Sequence, residues 1–218
     1  MSPATEPFVG GLVLGAGGSK RLGRPKQLLS YGHGQTLLGH VVGVARGCGF
    51  DQTVVAVGGA ADEVRAGVDL DGTDVVFNDA YGEGCSSSIA AAIRGAVDPL
   101  CDVLVLMLGD QPGVTPAAVA TLLAGRRDAP LALCAYDDGP GHPIAFGHSM
   151  FGALTALHGD KGVWRLLDER AADVVRVPVA GPIPLDVDTQ EDYEAVLRDL
   201  VRCSPDQRSG SAPTRSPA

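Results

Sequence analysis

Apolar and polar positions alternate along the chain in a way that predicts strands interleaved with helices. Short apolar runs indicate buried strands at 9–14, 53–57, 74–77, 102–108, 131–136, 143–146 and 173–178, with a short extended piece at 184–187. Apolar residues at helical spacing predict helices at 36–48, 60–66, 86–97, 116–123, 150–157, 163–170 and 190–202. Strands that alternate with helices over the first two-thirds of the chain predict a mostly parallel sheet with right-handed crossovers.

The run 102–108 is apolar on both faces, which is typical of a central strand in a parallel sheet. It ends in Gly109-Asp110, and the first predicted strand ends in a glycine-rich loop. In sheets of this kind, ligands bind beyond the carboxyl ends of the strands. Both turns are therefore expected to open onto one crevice.

Size and charge limit the classes of function. A chain of 218 residues suits one domain, for which we predict the bounds 8–203, with disordered tails at 1–7 and 204–218. The net charge of −9 argues against nucleic acid or an anionic membrane as a partner. We find no signal peptide, and five scattered cysteines without a C-x-x-C pair indicate reduced thiols. A cytoplasmic protein is therefore expected.

The segment after the first predicted strand reads L-G-A-G-G-S-K-R-L-G-R-P-K, from Leu14 to Lys26. Glycine has no Cβ, so its backbone can take positive φ angles and come close to a ligand. Consecutive N–H groups in such a turn point into one concavity and attract phosphate oxygens. Four cations, Lys20, Arg21, Arg24 and Lys26, stand within seven residues of this acidic chain. We expect the loop to bind a polyanion; the alternative is a surface turn with solvated cations.

Two common glycine-rich motifs do not describe this loop. A Walker loop has Lys and then Ser or Thr after its second glycine, but Arg24 and Pro25 follow Gly23 here. The Rossmann fingerprint has a third glycine where Lys20 stands and continues into a helix, which Pro25 does not favour.

The loop instead resembles L-[AG]-[AG]-G-x-S-x-R-[ML]-G-x-x-K, the signature of nucleotidyltransferases related to the molybdenum cofactor cytidylyl- and guanylyltransferases. Its fixed positions are filled by Leu14, Gly17, Ser19, Arg21, Leu22, Gly23 and Lys26. The resemblance implies an α/β three-layer sandwich with a mostly parallel, Rossmann-like sheet, the nucleotide-diphospho-sugar transferase fold. It also implies a reaction in which a phosphate of the acceptor attacks the α-phosphorus of an NTP and pyrophosphate leaves.

Two acidic segments are candidates for a metal site. Asp110 follows a strand in G-D-Q-P, and Asp186 and Asp188 stand in D-V-D-T-Q-E-D. Carboxylates opposite the cations of the loop suit a hard metal ion that bridges phosphates. The alternatives are an ordinary turn and, for Thr189 with Asp192, a helix capping box. The resemblance implies Mg²⁺ as cofactor on Asp110 and Asp188, and Asp186 matches the metal-binding position less well.

The resemblance also assigns the other candidate residues, with Lys26, Arg21 and Asp110 as the catalytic set. The nucleotide-binding candidates are Leu14, Gly15, Ala16, Gly17, Gly18, Ser19, Lys26, Asn78, Gly84, Ser87, Ser88 and Gly109. The acceptor-binding candidates are Gly141, His142, Pro143 and Asp160. A helix N-cap for the serines and a structural turn for Gly-His-Pro remain open. Val163-Trp164 stands where the family usually has Ala-Arg, so the acceptor also stays open.

The resemblance favours CTP as the nucleotide. Guanylyl enzymes of the family tend to have glycine where Ala16 stands, and Gly84 with Ser88 matches the cytidylyl pattern. The expected reaction moves CMP from CTP to the phosphate of molybdopterin or the molybdenum cofactor, with a molybdoenzyme as recipient of the product. An acceptor phosphate is already ionised at neutral pH, so no general base is expected. The alternatives are a guanylyltransferase that uses GTP, another phosphorylated acceptor, a non-catalytic nucleotide-binding module and a Rossmann dehydrogenase.

Overall fold

A computed structural model describes residues 6–19 and 21–203, and within them one seven-stranded sheet organises the chain. The strands are β1 Val9–Leu14, β2 Gln52–Val57, β3 Asp74–Phe77, β4 Val103–Leu108, β5 Leu131–Tyr136, β6 Gly139–Gly147 and β7 Val174–Pro178. The α-helices are α1 Leu37–Arg46, α2 Ala61–Gly67, α3 Cys85–Gly95, α4 Pro116–Arg126, α5 Phe151–Thr155, α6 Gly162–Glu169 and α7 Gln190–Cys203. Short 3₁₀ turns lie at Lys26–Leu28, Tyr81–Glu83, His148–Met150 and Ala171–Asp173.

The strand order in the sheet is β3-β2-β1-β4-β6-β5-β7. The pairs β1 with β2, β1 with β4, β2 with β3 and β5 with β7 are parallel. β6 runs antiparallel to both of its neighbours, β4 and β5. The predicted mostly parallel sheet is therefore confirmed, and β1 and β4 lie side by side in its middle.

Two apolar layers cover the two faces of the sheet, because successive side chains of a strand point to opposite faces. Val13 of β1 and Val105 of β4 face α1, α2 and α4. Leu12 and Leu104, their neighbours in the chain, face α3, α5 and α6. Both faces of the central strands are buried, which explains why these strands read as unbroken apolar runs. The predicted three-layer sandwich is confirmed.

A third, smaller cluster attaches the last helix to the segment after the glycine-rich loop. Leu29, Tyr31 and Leu37 pack there against Val187 and Val196. This packing holds the segment that precedes α7 beside the loop that follows β1. Two stretches that are far apart in sequence thus meet at one edge of the sheet.

The predicted elements match the structure with a few differences. β6 begins at Gly139, not at 143, and the predicted turn 137–141 is reduced because β5 and β6 form a hairpin with a bulge beside Cys134. The predicted extended piece 184–187 joins no strand; Val187 N–H instead donates to the carbonyl of Asp110 at 3.0 Å. α4 extends to Arg126, and α5 is shorter than predicted. The predicted tails lie outside the described residues, apart from residues 6 and 7.

Two further expectations concern cysteines and membranes. The four cysteines whose side chains are described are free thiols. Among residues 6–19 and 21–203, no helix combines the length and apolar character needed to span a membrane.

Candidate active site

A cleft of about 560 Å³ opens at the carboxyl ends of β1 and β4. It is lined by all six loop residues at 14–19, by Arg21 and Lys26, and by Gly109, Asp110, Asp186 and Asp188. The predicted crevice between the two strand ends is therefore present. It brings together the implied catalytic residues and both acidic segments.

Gln27 fixes the backbone of the glycine-rich loop from inside the protein. Its side chain is 4% exposed, and its amide nitrogen donates to the carbonyls of Gly15 and Gly17, each at 2.8 Å. In a planar trans peptide the N–H points away from the C=O of the same unit. The N–H groups of Ala16 and Gly18 consequently point away from Gln27, and no described residue accepts a hydrogen bond from either. The sequence reasoning missed Gln27, because a single polar residue beside a signature lysine gives no separate signal.

Ser19 shapes the same loop. Its φ is 49°, in the left-handed region that non-glycine residues seldom adopt. Its hydroxyl accepts from the backbone N–H of Lys26 at 2.8 Å and donates to Gln27 at 3.3 Å. In this state the Ser19 hydroxyl is engaged inside the loop, and it holds Lys26 at a fixed distance from the glycines.

Lys26 lies between two carboxylates. Its ammonium donates a short hydrogen bond to Asp110 Oδ2 and another, of 2.8 Å, to Asp188 Oδ1. Arg21 donates to the other oxygen of Asp188 at 2.7 Å from a largely exposed position, so this outer pair adds little stability. Burial alone would lower the pKa of Lys26, but Asp110 and Asp188 outweigh burial and raise that pKa above its usual value. Partial burial opposes ionisation of Asp188, yet Lys26 and Arg21 lower its pKa overall.

Local structure at the last acidic segment explains how Asp188 reaches Lys26. The backbone N–H and the hydroxyl of Thr189 donate to Asp192, each at 2.8 Å, and Asp192 N–H donates back to Thr189 Oγ1 at 3.2 Å. This reciprocal pair is the capping box that starts α7. The structural alternative for this segment is thus correct, and the same cap presents Asp186 and Asp188 to the cleft.

Asp186 shares the negative charge of this corner. Loss of surrounding water, followed by the charges of Asp110 and Asp188, raises the pKa of Asp186 to about 6. Lys26 and a hydrogen bond from Gln111 act in the opposite direction. The shift therefore reflects first the burial of Asp186 and only then its two acidic neighbours.

The donor set fits a divalent cation that brings further ligands with it. Asp110 and Asp188 each direct one oxygen at Lys26 Nζ, so both carboxylates already converge on a single cation. In the described residues, no group of three or more His, Cys, Asp or Glu side chains is arranged as a self-sufficient metal site. Mg²⁺ is usually bound by one or two carboxylates together with water and substrate phosphates. Two converging carboxylates beside a phosphate-type loop are the expected protein share of such a site.

The loop before α3 forms one end of the cleft, although only part of the predicted set faces it. Asn78 donates to Ser87 Oγ and Ser88 Oγ, each at 2.9 Å, and Ser87 donates to the carbonyl of Gly84 at 2.7 Å. Gly84 and Ser88 line the cleft, whereas Asn78 and Ser87 do not. The last two bond to their neighbours and so support the loop from behind. The N-cap of α3 is Gly84, so the alternative of a serine cap is wrong.

Two of the four acceptor candidates line the cleft. His142 and Asp160 line it, but Gly141 and Pro143 do not. Gly141 is needed for packing, since a Cβ there would come within 3.1 Å of Ile183 and Tyr136. The carboxylate of Asp160 accepts from the N–H of Cys85 at 3.1 Å and so supports the start of α3.

His142 is 7% exposed, and its burial lowers its pKa to about 4, so the imidazole is neutral at pH 7. The indole of Trp164 meets the imidazole edge to face, with ring centres 5.7 Å apart and an angle of 83° between the planes. Trp164 also lines the cleft. In the sequence Trp164 appears only as a departure from the family pattern. Its contact with His142 joins α6 to β6, two elements whose packing the sequence pattern does not show.

Comparison with known proteins agrees with this geometry. The sequence profile of the MobA-like NTP transferase domain matches residues 11–174. The chain is 32% identical over 171 residues to nicotine blue oxidoreductase of Paenarthrobacter nicotinovorans, an alignment that covers 74% of this chain and 82% of that relative.

Two solved structures are also similar. The Rv0371c homologue from Mycobacterium sp. strain JC1 has a TM-score of 0.85 and 53% identity, over 90% of this chain and 98% of the other. Rv0371c of Mycobacterium tuberculosis in complex with manganese has a TM-score of 0.78 and 44% identity, over 88% and 98%.

A glycine-rich loop facing two carboxylates at the centre of this sheet defines the site of a nucleotidyltransferase, and the predicted nucleotide-diphospho-sugar transferase fold is confirmed. The chain belongs to the MobA-like NTP transferase family.

Proposed function

We propose that this nucleotidyltransferase moves CMP from CTP to the phosphate of molybdopterin or the molybdenum cofactor and releases pyrophosphate in a Mg²⁺-dependent reaction. One observation carries the proposal: Lys26, Asp110 and Asp188 converge beside a loop whose N–H groups at Ala16 and Gly18 have no acceptor among the described residues. A cytoplasmic location, and a molybdoenzyme that receives the product, belong to the same proposal.

Charge balance favours a metal-dependent reaction. Among the described residues that line this part of the cleft, the acids Asp110, Asp186 and Asp188 outnumber the cations Arg21 and Lys26. A triphosphate alone would bring more negative charge into that corner. A Mg²⁺ ion held by Asp110 and Asp188 would supply the missing positive charge and polarise the reacting phosphate oxygens. Manganese in the related Rv0371c structure is consistent with a divalent ion in this family.

The remaining chemistry is alignment and charge stabilisation. The acceptor phosphate is the nucleophile and is ionised at neutral pH, so the protein needs no base to activate it. The N–H groups of Ala16 and Gly18, together with Lys26, are placed to bind the phosphates and to stabilise the charge that develops on pyrophosphate as it leaves. Gln27 keeps the loop in this shape before the nucleotide arrives, so little reorganisation is required.

The choice of CTP rests on the end of the cleft around Ala16. A Cβ added to Gly58 would lie 3.0 Å from Ala16 Cβ, and one added to Gly59 would lie 2.7 Å from the Tyr81 hydroxyl. Ala16 and Tyr81 both line the cleft, so its wall here is closely packed. A closely packed wall supports the smaller pyrimidine ring, in agreement with the sequence pattern at Ala16 and Ser88.

Other functions are placed second for specific reasons. The relative from Paenarthrobacter nicotinovorans is named an oxidoreductase, which makes a dehydrogenase the second candidate. Against that reading, Lys20 stands where the dinucleotide fingerprint needs its third glycine. A non-catalytic nucleotide-binding module would not need Asp110 and Asp188 together with Lys26.

The test is a screen of the four NTPs with Mg²⁺ and reduced molybdopterin, with pyrophosphate as the readout and Asp110→Asn as the inactive control. We expect pyrophosphate only when CTP, Mg²⁺ and molybdopterin are all present. A preference for GTP would make the protein a guanylyltransferase, and turnover of a sugar phosphate in place of molybdopterin would replace the acceptor. Binding of a nicotinamide dinucleotide without pyrophosphate release would favour the dehydrogenase.

A further inference from the structure

One wall of the cleft has no role in binding phosphates. It is formed by His142 of β6 and Trp164 of α6. β6 lies beside β4 on the side away from β1, β2 and β3, and the turn before α6 meets the start of α3, where Asp160 accepts from the N–H of Cys85. A molecule bound between the glycine-rich loop and this wall would lie on the acceptor side of the triphosphate.

His142 offers unused hydrogen-bonding groups at this wall. The side chain is 7% exposed and lines the cleft, yet no described residue makes a hydrogen bond with either ring nitrogen. Its position is fixed by two contacts: Tyr136 donates to the His142 carbonyl at 2.7 Å, and Trp164 packs edge to face at 5.7 Å. A neutral imidazole presents one donor and one acceptor. Because His142 lines the cleft, these ring nitrogens are available to hydrogen-bond a ligand there.

The charges on the wall limit what that ligand can be. In the part of the chain that the structure describes, the cations that line the cleft are Arg21 and Lys26, and both follow β1. Among the Asp, Glu, Lys and Arg side chains that the structure shows lining the cleft, Asp160 is the one nearest to Trp164 in the sequence. A phosphate therefore belongs beside Lys26. The body of the acceptor that meets the wall should carry no negative charge and should offer N–H donors.

We infer that Trp164 is a stacking platform for a flat, uncharged, nitrogen-rich heterocycle of the acceptor, whose polar edge is read by His142 and Asp160. The inference rests on the proposed function, because it specifies the acceptor side of that reaction. It makes Trp164 a specificity-determining residue. A saturated phosphorylated acceptor such as a sugar phosphate would offer the indole no flat ring to stack on.

The chain provides its own reporter, because Trp164 is its single tryptophan. The probe is 6-hydroxymethylpterin, a flat heterocycle without phosphate, and glucose 1-phosphate is the saturated control. We expect saturable quenching of the Trp164 emission by the pterin and none by the sugar phosphate. Absence of pterin binding to the wild type at millimolar concentration would overturn the inference. Binding seen by calorimetry without quenching would overturn it as well.

Variants separate stacking from general packing. By calorimetry, Trp164→Ala should weaken pterin binding by roughly ten- to a hundredfold, as expected for loss of one stacking aromatic. Trp164→Phe should restore most of the affinity. Leu100→Ala, which changes an apolar side chain 76% exposed in the turn before β4, should leave the pterin affinity unchanged. Unchanged pterin affinity in Trp164→Ala would exclude the platform.

CTP binding and pyrophosphate release, measured on the same variants, distinguish the two hypotheses. We expect the CTP affinity to be the same in all of them. If wild type and Trp164→Ala turn over molybdopterin with equal KM, the platform is wrong and the proposed function stands. If pterin binding depends on Trp164 but the wild type releases no pyrophosphate from CTP, the platform stands and the proposed function is wrong.

Discussion

Mild acid should destabilise this protein through His142. The imidazole is 7% exposed, and its pKa is lowered from an ordinary 6.5 to about 4 by burial. Between these two pH values the His142 imidazole is protonated in the unfolded chain but stays neutral in the folded protein. The free energy of unfolding therefore has its full value above the pKa that His142 has in the unfolded chain. It decreases as the pH falls towards the lower pKa that His142 has in the folded protein.

The expected size follows from the two pKa values. One pKa unit corresponds to about 1.4 kcal/mol, so the full shift is worth on the order of 3 kcal/mol in the acid limit. Linkage between pH 7.5 and pH 5 gives a loss of about 2 kcal/mol from this group alone. A loss of this size is a large fraction of the stability of a typical domain, which is roughly 5–15 kcal/mol.

The assay is urea unfolding of the wild type and of His142→Gln at the two pH values. Carboxylates, including Asp186 with its raised pKa, titrate in both proteins, so the difference between the two pH dependences isolates the imidazole. We expect the wild type to lose about 2 kcal/mol more than the variant between pH 7.5 and pH 5. Equal losses in the two proteins, or an NMR titration of the His142 ring near 6.5, would refute the reasoning.

Four further predictions concern the cleft. Asp110→Asn should abolish Mg²⁺-dependent pyrophosphate release while the protein stays folded; unchanged magnesium dependence would place the metal elsewhere. The Lys26→Ala variant should lose most of its turnover. In an EPR titration without nucleotide it should bind Mn²⁺ more tightly than the wild type. Near-normal turnover at saturating CTP would contradict the role of Lys26 in binding the phosphates. Gln27→Leu should weaken CTP binding by about 1–3 kcal/mol, because two loop carbonyls lose their donor. The control Gln190→Leu, at an exposed position, should leave CTP binding unchanged. Equal losses of CTP affinity in the two variants would contradict the role of Gln27 in shaping the loop. Ala16→Gly should raise the kcat/KM for GTP relative to CTP by up to roughly ten- to two-hundredfold. An unchanged ratio would indicate that residues at the start of α3, and not Ala16, discriminate between CTP and GTP.

Most of the fold was predictable because its signals are local. β4 reads as an unbroken apolar run since both of its faces are buried, and Thr36 followed by helical spacing marks the start of α1. The start of β6 was predicted too late because Gly139, Pro140 and Gly141 form a typical turn sequence. Pairing with β5 across a bulge overrides that local preference, and no local pattern contains the pairing.

The candidate site was predictable only where strand ends determine position. Asp110 and the glycine-rich loop each follow a central strand, so parallel topology alone puts them in one crevice. Within loops the sequence could not show which side chain faces the cleft. Asn78 and Ser87 bond to their neighbours, while Ser88, one position further along, faces the cleft. Trp164 became meaningful only when the fold placed it against a residue of β6.

The pairing of Lys26 with the two acids changes how the site is understood. From the sequence, Lys26 is predicted to bind the phosphates, whereas Asp110 and Asp188 are predicted to bind the metal. In the structure Lys26 instead donates to both carboxylates. A metal ion alone would have to displace Lys26, and a nucleotide alone would leave the acids without a cation. If both were present, Asp110 and Asp188 would hold the metal, and Lys26 would be available to bind the phosphates. Nucleotide and metal should therefore bind more tightly together than either does alone, because Lys26 competes with the metal for both carboxylates.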